Sequence, residues 1–199
     1  MPFSLPDPIT SDPWHRHLYA IGLITLLWNR IEDHVDYLLK TIGGPVQGLS
    51  DLVVGKLGNV TKMHIILEAA RSEWEPEGLA QLEHFFRAFN ICRQNRNIIL
   101  HSRYAPDDAG EPVMTKISDK GVARTFSSDL AELTRIAGEM DVALWHIHAI
   151  IQVGGTRDRT WRSLHASFPD RFLPLPWPEI PPLPRKLDPL PPQEDQPDG

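Results

Sequence analysis

The side chains most capable of chemistry lie together in Cys92-Arg93-Gln94-Asn95-Arg96-Asn97-Ile98-Ile99-Leu100-His101, where polar residues interrupt an otherwise core-building pattern. Imidazole titrates near neutral pH, so His101 can accept or deliver a proton. A guanidinium carries a fixed charge and paired N–H donors, so Arg96 can hold a phosphodiester through directional hydrogen bonds, and Asn97 can orient the histidine or the substrate. Spacing restricts the arrangement. Five helical steps put Arg96 and His101 roughly 140° apart, whereas Asn97 and His101, four steps apart, share a face. An unwound last turn, or a site at a helix-helix interface, would bring arginine and histidine round one ligand. Arg87, Arg93, Arg96 and Arg103 occur with no acidic residue between Phe85 and Pro106, so a locally positive cleft is compatible with an acidic chain, and Arg93 and Arg103 are further phosphate-binding candidates. The same residues also suit a structural role, satisfying contacts where a helix meets its neighbour.

Other chemistries lack their residues. Gly43-Gly44 and Gly154-Gly155 do not make a phosphate loop or a dinucleotide fingerprint in a strand-to-helix context, and there is no nucleophile elbow. Cys92 is the one cysteine, and its place in the apolar pattern predicts a buried structural thiol rather than a zinc ligand. His146 and His148 point about 200° apart on a regular helix, so they do not form a one-face metal pair. His15 and His17 are similarly ambiguous in an N-terminal extension, and His34 with Asp33 suits a polar interface. No cofactor and no metal is expected.

The elements that must position these residues are mostly helical. From about Tyr19 to Thr41, Ile21, Ile24, Leu27, Trp28, Ile31, Val35, Leu38 and Leu39 recur at three- and four-residue spacing, which predicts a long amphipathic helix stopped by Gly43-Gly44-Pro45. After a linker, a second helix spans Gly55 to about Arg71. Pro76 suits the first turn of a third, carried by Leu79, Leu82, Phe85, Phe86, Phe89, Cys92 and Leu100 to about Arg103. Pro112–Ser118 and Val122–Phe126, around Asp119-Lys120-Gly121, predict a hairpin that needs the helices for support. Ser127 or Ser128 can cap a fourth helix, from Leu130 through Ile151, which Gly154-Gly155 would end.

The expected organisation is an N-terminal extension over 1–18, a helical domain over 19–168 with a hairpin near 112–126, and a proline-rich arm over 169–199. Eleven of the 19 prolines follow Phe168, denying helical hydrogen bonding and favouring an extended tail. Phe172, Leu173, Leu175, Trp177, Ile180 and Leu183 suit a strap across the bundle or a neighbouring subunit, with Asp188–Gly199 expected to be disordered. At 199 residues the chain can bury a sizeable core, and its composition excludes collagenous, mucin-like and disulfide-framework classes. Neither a signal peptide nor a membrane span fits, so a cytoplasmic location is expected. The net charge of −6 argues mildly against a non-specific nucleic-acid coat, although six of the 26 acidic residues, against three basic ones, lie in the arm.

Arg96-Asn97-Ile98-Ile99-Leu100-His101 resembles the arginine-asparagine-x3-histidine form of the motif in HEPN domains, a helical superfamily that includes many metal-independent RNases of toxin-antitoxin, antiviral and RNA-processing systems. Trp28-Asn29-Arg30-Ile31-Glu32 is similar to the tryptophan- and glutamate-bearing first helix of HEPN-like proteins, and the resemblance covers about Tyr19–Gln152. It implies an all-α, HEPN-like bundle, into which the small hairpin read from the pattern is inserted, a homodimer that brings two motifs into one cleft, and an RNA substrate. It assigns phosphate binding and cleavage to Arg96 and His101 and a supporting role to Asn97. Glu32, with Asp36 one helical turn beyond it, becomes a supporting acid. An antitoxin or regulatory protein is an implied partner. The competing reading is a non-catalytic homodimeric helical interaction or RNA-binding protein, in which Arg96 and His101 stabilise the dimer or bind RNA without cutting it.

Overall fold

The computed structural model describes residues 13–42, 54–106, 112–118, 120–156 and 176–191. Within them the chain forms helices α1 (Pro13–Ile42), α2 (Asn59–Glu73), α3 (Pro76–Leu100) and α4 (Leu130–Thr156), with strands β1 (Arg103–Pro106), β2 (Pro112–Ile117) and β3 (Ala123–Ser127) between α3 and α4. None of the described helices is long and apolar enough to cross a membrane.

The periodic apolar residues make the core. On α1, Ala20, Ile24, Leu27, Trp28, Ile31, Val35, Leu38 and Leu39 are all buried, in a stripe that packs against α4, α2 and α3. Phe85, Phe89 and Cys92 of α3 meet it from one side, with the Trp28 and Phe89 ring centroids 4.8 Å apart. Leu133, Ile136, Met140, Ile147 and Ile150 of α4 complete the cluster. Burial, with Glu139 adding negative charge nearby, pushes the Cys92 thiol up to about 12, which fits the structural thiol expected of it.

Several boundaries differ from the sequence expectation for physical reasons. The 1–18 extension is partly helical: α1 begins at Pro13, where the missing amide hydrogen is not needed. Helix α2 starts at Asn59 because Val54–Gly58 first closes a turn, Leu57 N–H donating to the Val54 carbonyl at 3.2 Å. Ser127 belongs to β3, and Asp129 caps α4 instead, its carboxylate accepting the Glu132 N–H at 2.7 Å. Gly154 does not end α4. A Cβ there would lie 3.0 Å from the Trp74 ring, so this glycine permits a close approach inside the helix. The Gly43-Gly44-Pro45 stop lies outside the described residues.

The all-α expectation becomes mainly α, because the hairpin is one part of a three-stranded antiparallel sheet in the order β1-β2-β3. Tyr104 pairs with Met114, and Met114 with Phe126, forming one row on the face turned to the helices; Met114 and Phe126 are buried there. The β2–β3 turn closes through Gly121, whose φ of 75° favours glycine. Helix α3 stops at Leu100 rather than near Arg103, and Arg103, expected in its last turn, opens β1.

The arm is a proline-punctuated strap with neither helix nor strand over 176–191. Side-chain amides fix it to α3: Gln81 donates to the Pro178 carbonyl at 2.7 Å, while Asn95 donates to the Arg185 carbonyl at 2.9 Å and accepts the Leu187 N–H at 2.8 Å. Arg185 reaches Glu132 of α4 at 2.9 Å, and Leu190 N–H donates to the Thr125 carbonyl of β3 at 2.8 Å. Trp177 covers Gly78, and Leu187 is buried. Composition predicts disorder from Asp188 onward, but docking continues through Leu190, whose N–H meets the Thr125 carbonyl at the edge of β3. Phe172, Leu173 and Leu175, and residues 192–199, lie outside the described residues.

Candidate functional site

The Arg96–His101 segment is the end of α3, and its geometry follows from how that helix stops. The last four carbonyls of a helix have no internal partner. Here Lys116 Nζ of β2 donates to the Asn97 carbonyl at 3.4 Å, Ser102 Oγ to Ile98 at 2.6 Å, and Tyr104 Oη of β1 to Ile99 at 2.9 Å. Side chains from the following turn and the sheet therefore fix the C-terminus of the motif helix. His101 is the cap residue, at φ −110° and ψ 13°, where the backbone departs from helical geometry, and it is exposed.

Arg96 is half-buried in the last turn, and Nη1 donates to Asn97 Oδ1 at 3.1 Å. Its Nε, like that of Arg93, is buried with no hydrogen-bond partner among the described residues. Among those residues no carboxylate pairs with Arg93, Arg96 or Arg103, and no side-chain hydrogen bond joins Arg96 or Asn97 to His101. Arginine, asparagine and an exposed imidazole thus share one helix end within a single chain, with Lys116 as a further cation. A guanidinium with no carboxylate partner can hold phosphoryl oxygens, and an exposed imidazole can move a proton.

The other candidates are placed elsewhere. Glu32 accepts from Asn59 of α2 at 2.5 Å, and Asp36 pairs with the buried Lys62 at 2.5 Å. Both acids therefore tie α1 to α2, and neither bonds Arg96 or His101. Arg103 is exposed on β1, with its side chain on the face opposite Tyr104 and hence away from the row packed on the helices. The sequence does not single out Lys116, because its relation to Asn97 depends on the sheet folding back over the helix end. A lysine at alternate spacing from Met114 in a strand was the only available signal.

The histidines divide differently from their spacing. His146 is buried and donates through Nε2 to Gln81 Oε1 at 2.7 Å; its ring lies 5.7 Å from that of His84. Burial, and then the neighbouring His84, push His146 down to about 4. For His84, burial and then Arg87 lower the value, against a hydrogen bond with the Pro181 backbone. His148 instead faces His34 across α1 and α4, Nε2 of His34 lying 3.4 Å from Nδ1 of His148. Among the described residues there is no group of three or more His, Cys, Asp or Glu arranged to hold a metal ion. Comparison of the chain with family models, with curated proteins and with solved structures finds no match.

Proposed function

We propose that this chain is a HEPN-like, metal-independent endoribonuclease that acts as a homodimer, with Arg96 and His101 at the reacting phosphodiester. The RNA 2′-hydroxyl attacks the adjacent phosphorus, the bond to the 5′-oxygen breaks, and the products are a cyclic phosphate and a free 5′-hydroxyl. His101 takes the 2′-hydroxyl proton and supplies one to the leaving oxygen, while Arg96 stabilises the charge that develops on the phosphoryl oxygens. Asn97 holds the Arg96 guanidinium by the hydrogen bond between them. Glu32 and Asp36 act from a distance, by fixing α1 against α2.

The observation that carries this reading is the construction of the α3 terminus. Three side chains outside the helix meet its last carbonyls, and the residue so presented is an exposed histidine beside a half-buried arginine that no carboxylate among the described residues pairs.

The test is RNA cleavage in EDTA by the full chain and by Arg96→Ala and His101→Ala, with the fold and oligomeric state of each checked. Loss of a general acid-base group costs about 10²–10⁴-fold in rate and loss of a charge-stabilising donor about 10²–10³-fold, so cleavage by each folded variant should fall at least about a hundredfold below the parent. Retained cleavage in both would remove the catalytic roles. RNA binding without cleavage by the parent would favour the non-catalytic reading.

A further inference from the structure

The His34–His148 contact is not used by the proposed reaction, and its proton arrangement is informative. His34 Nδ1 lies 2.7 Å from the Arg30 carbonyl. A carbonyl only accepts, so the proton is on Nδ1, and Nε2 of the neutral ring carries a bare lone pair. That lone pair faces His148 Nδ1 at 3.4 Å, a long N–H···N hydrogen bond. The far nitrogen of His148, Nε2, lies 2.9 Å from the side-chain amide of Gln152. Each ring is thus held by a partner on its outer nitrogen, with the inner nitrogens turned towards each other.

Two nitrogens bound to one tetrahedral zinc at about 2.0–2.1 Å lie about 3.3–3.4 Å apart, which is the separation observed between the inner nitrogens. The outer contacts are of the kind that orient metal-bound imidazoles: a backbone carbonyl on His34 and an amide on His148. Turning the Gln152 amide over presents its oxygen to His148 Nε2, which then carries the proton and leaves Nδ1 bare. Both histidines are half-exposed, so an ion can enter from solvent, and Trp145 walls the His148 ring with centroids 5.9 Å apart.

We propose that His34 Nε2 and His148 Nδ1 form a two-imidazole site for a divalent late first-row transition metal, zinc, nickel or copper, bridging α1 and α4 with water in the remaining positions. Borderline-soft imidazole selects these ions over magnesium or calcium. The site is separate from the α3 terminus, so it stands or falls independently of the RNA-cleaving reading. Neither histidine's sequence spacing reveals it, because the ligands come from helices more than a hundred residues apart in the chain.

The experiment is calorimetric titration of the metal-stripped full chain with Zn2+ alone at neutral pH. The expected result is saturable binding of one ion per chain. His34→Gln and His148→Gln should each weaken it by at least about tenfold, the lower end of the loss caused by removing even an outer-shell partner. His64→Gln, at an exposed histidine of α2, should leave it unchanged. In parallel, the unmodified protein loaded with one equivalent of Cu2+ should show electron-spin coupling to two imidazole nitrogens, a readout that does not depend on any variant folding. Absence of saturable binding by the parent, undiminished binding in both variants, or a copper spectrum without two-nitrogen coupling would each overturn the proposal.

Discussion

Acidification should loosen this protein through His146 before the carboxylates have finished titrating. The imidazole is 5% exposed, donates through Nε2 to Gln81, and leaves Nδ1 buried without a partner among the described residues. Protonating Nδ1 would place a cation beside His84, which itself lies near Arg87 and against the Pro181 backbone. Phe85 packs edge-on to the His146 ring and offers no acceptor for the added proton. The folded chain therefore holds His146 neutral down to about pH 4, against an ordinary value of 6.5. Above pH 6.5 both folded and unfolded chains carry it neutral, and the shift contributes nothing. Below that, the unfolded chain binds the proton first, so stability falls as the pH drops and levels off only near pH 4.

At 1.36 kcal/mol per pH unit, the window from 6.5 to about 4 corresponds to a loss of about 3 kcal/mol from this one group. That is a large share of the 5–15 kcal/mol typical of a folded domain. His84, also lowered by burial, adds to the loss in the same direction. The assay is urea unfolding of the full chain at a series of pH values across this window, run beside His146→Gln, which keeps an N–H donor for Gln81 but does not titrate. Carboxylate effects are common to both proteins, so the difference between the two curves isolates the histidine. The stability of the parent relative to the variant should fall by about 3 kcal/mol as the pH falls from 6.5 to 4. Parallel curves would refute the argument that burial holds this imidazole neutral.

Two further outcomes follow from individual contacts. Lys62 is 6% exposed and its ammonium is matched by Asp36, so Asp36→Ala, which leaves an uncompensated buried cation, should cost about 3–5 kcal/mol in urea unfolding, and Lys62→Met should cost clearly less. A Cβ on Gly78 would lie 2.4 Å from the Trp177 ring; Gly78→Ala should therefore lift the arm from α3 at a cost of about 1–3 kcal/mol, read as faster proteolysis within 176–191 and a lower melting temperature.

The helices were legible because burial imposes its period directly on the residues. Ile24, Leu27, Trp28, Ile31 and Val35 can face one core only if α1 is helical, and the same holds for Phe85, Phe89 and Cys92 of α3. Termini were less legible, since capping depends on competition among neighbouring polar groups: Asp129 rather than Ser127 caps α4, and Gly154 lies inside the helix that it was expected to end. The strand Arg103–Pro106 was hidden because its pairing partner Pro112–Ile117 supplies the ladder that makes it a strand.

By itself, then, the sequence determined the mainly helical class, the apolar faces, the supported hairpin and the presence of arginine, asparagine and histidine within one short segment. Tertiary structure decided what those residues meet. It directed Glu32 and Asp36 to α2, brought Lys116 to the end of α3, set the arm along α3 and α4 through Gln81, Asn95 and Glu132, and turned His148 towards His34 rather than His146. Local pattern records which face of an element avoids water, whereas polar side chains choose partners by distance and direction, and those exist only once the elements have packed.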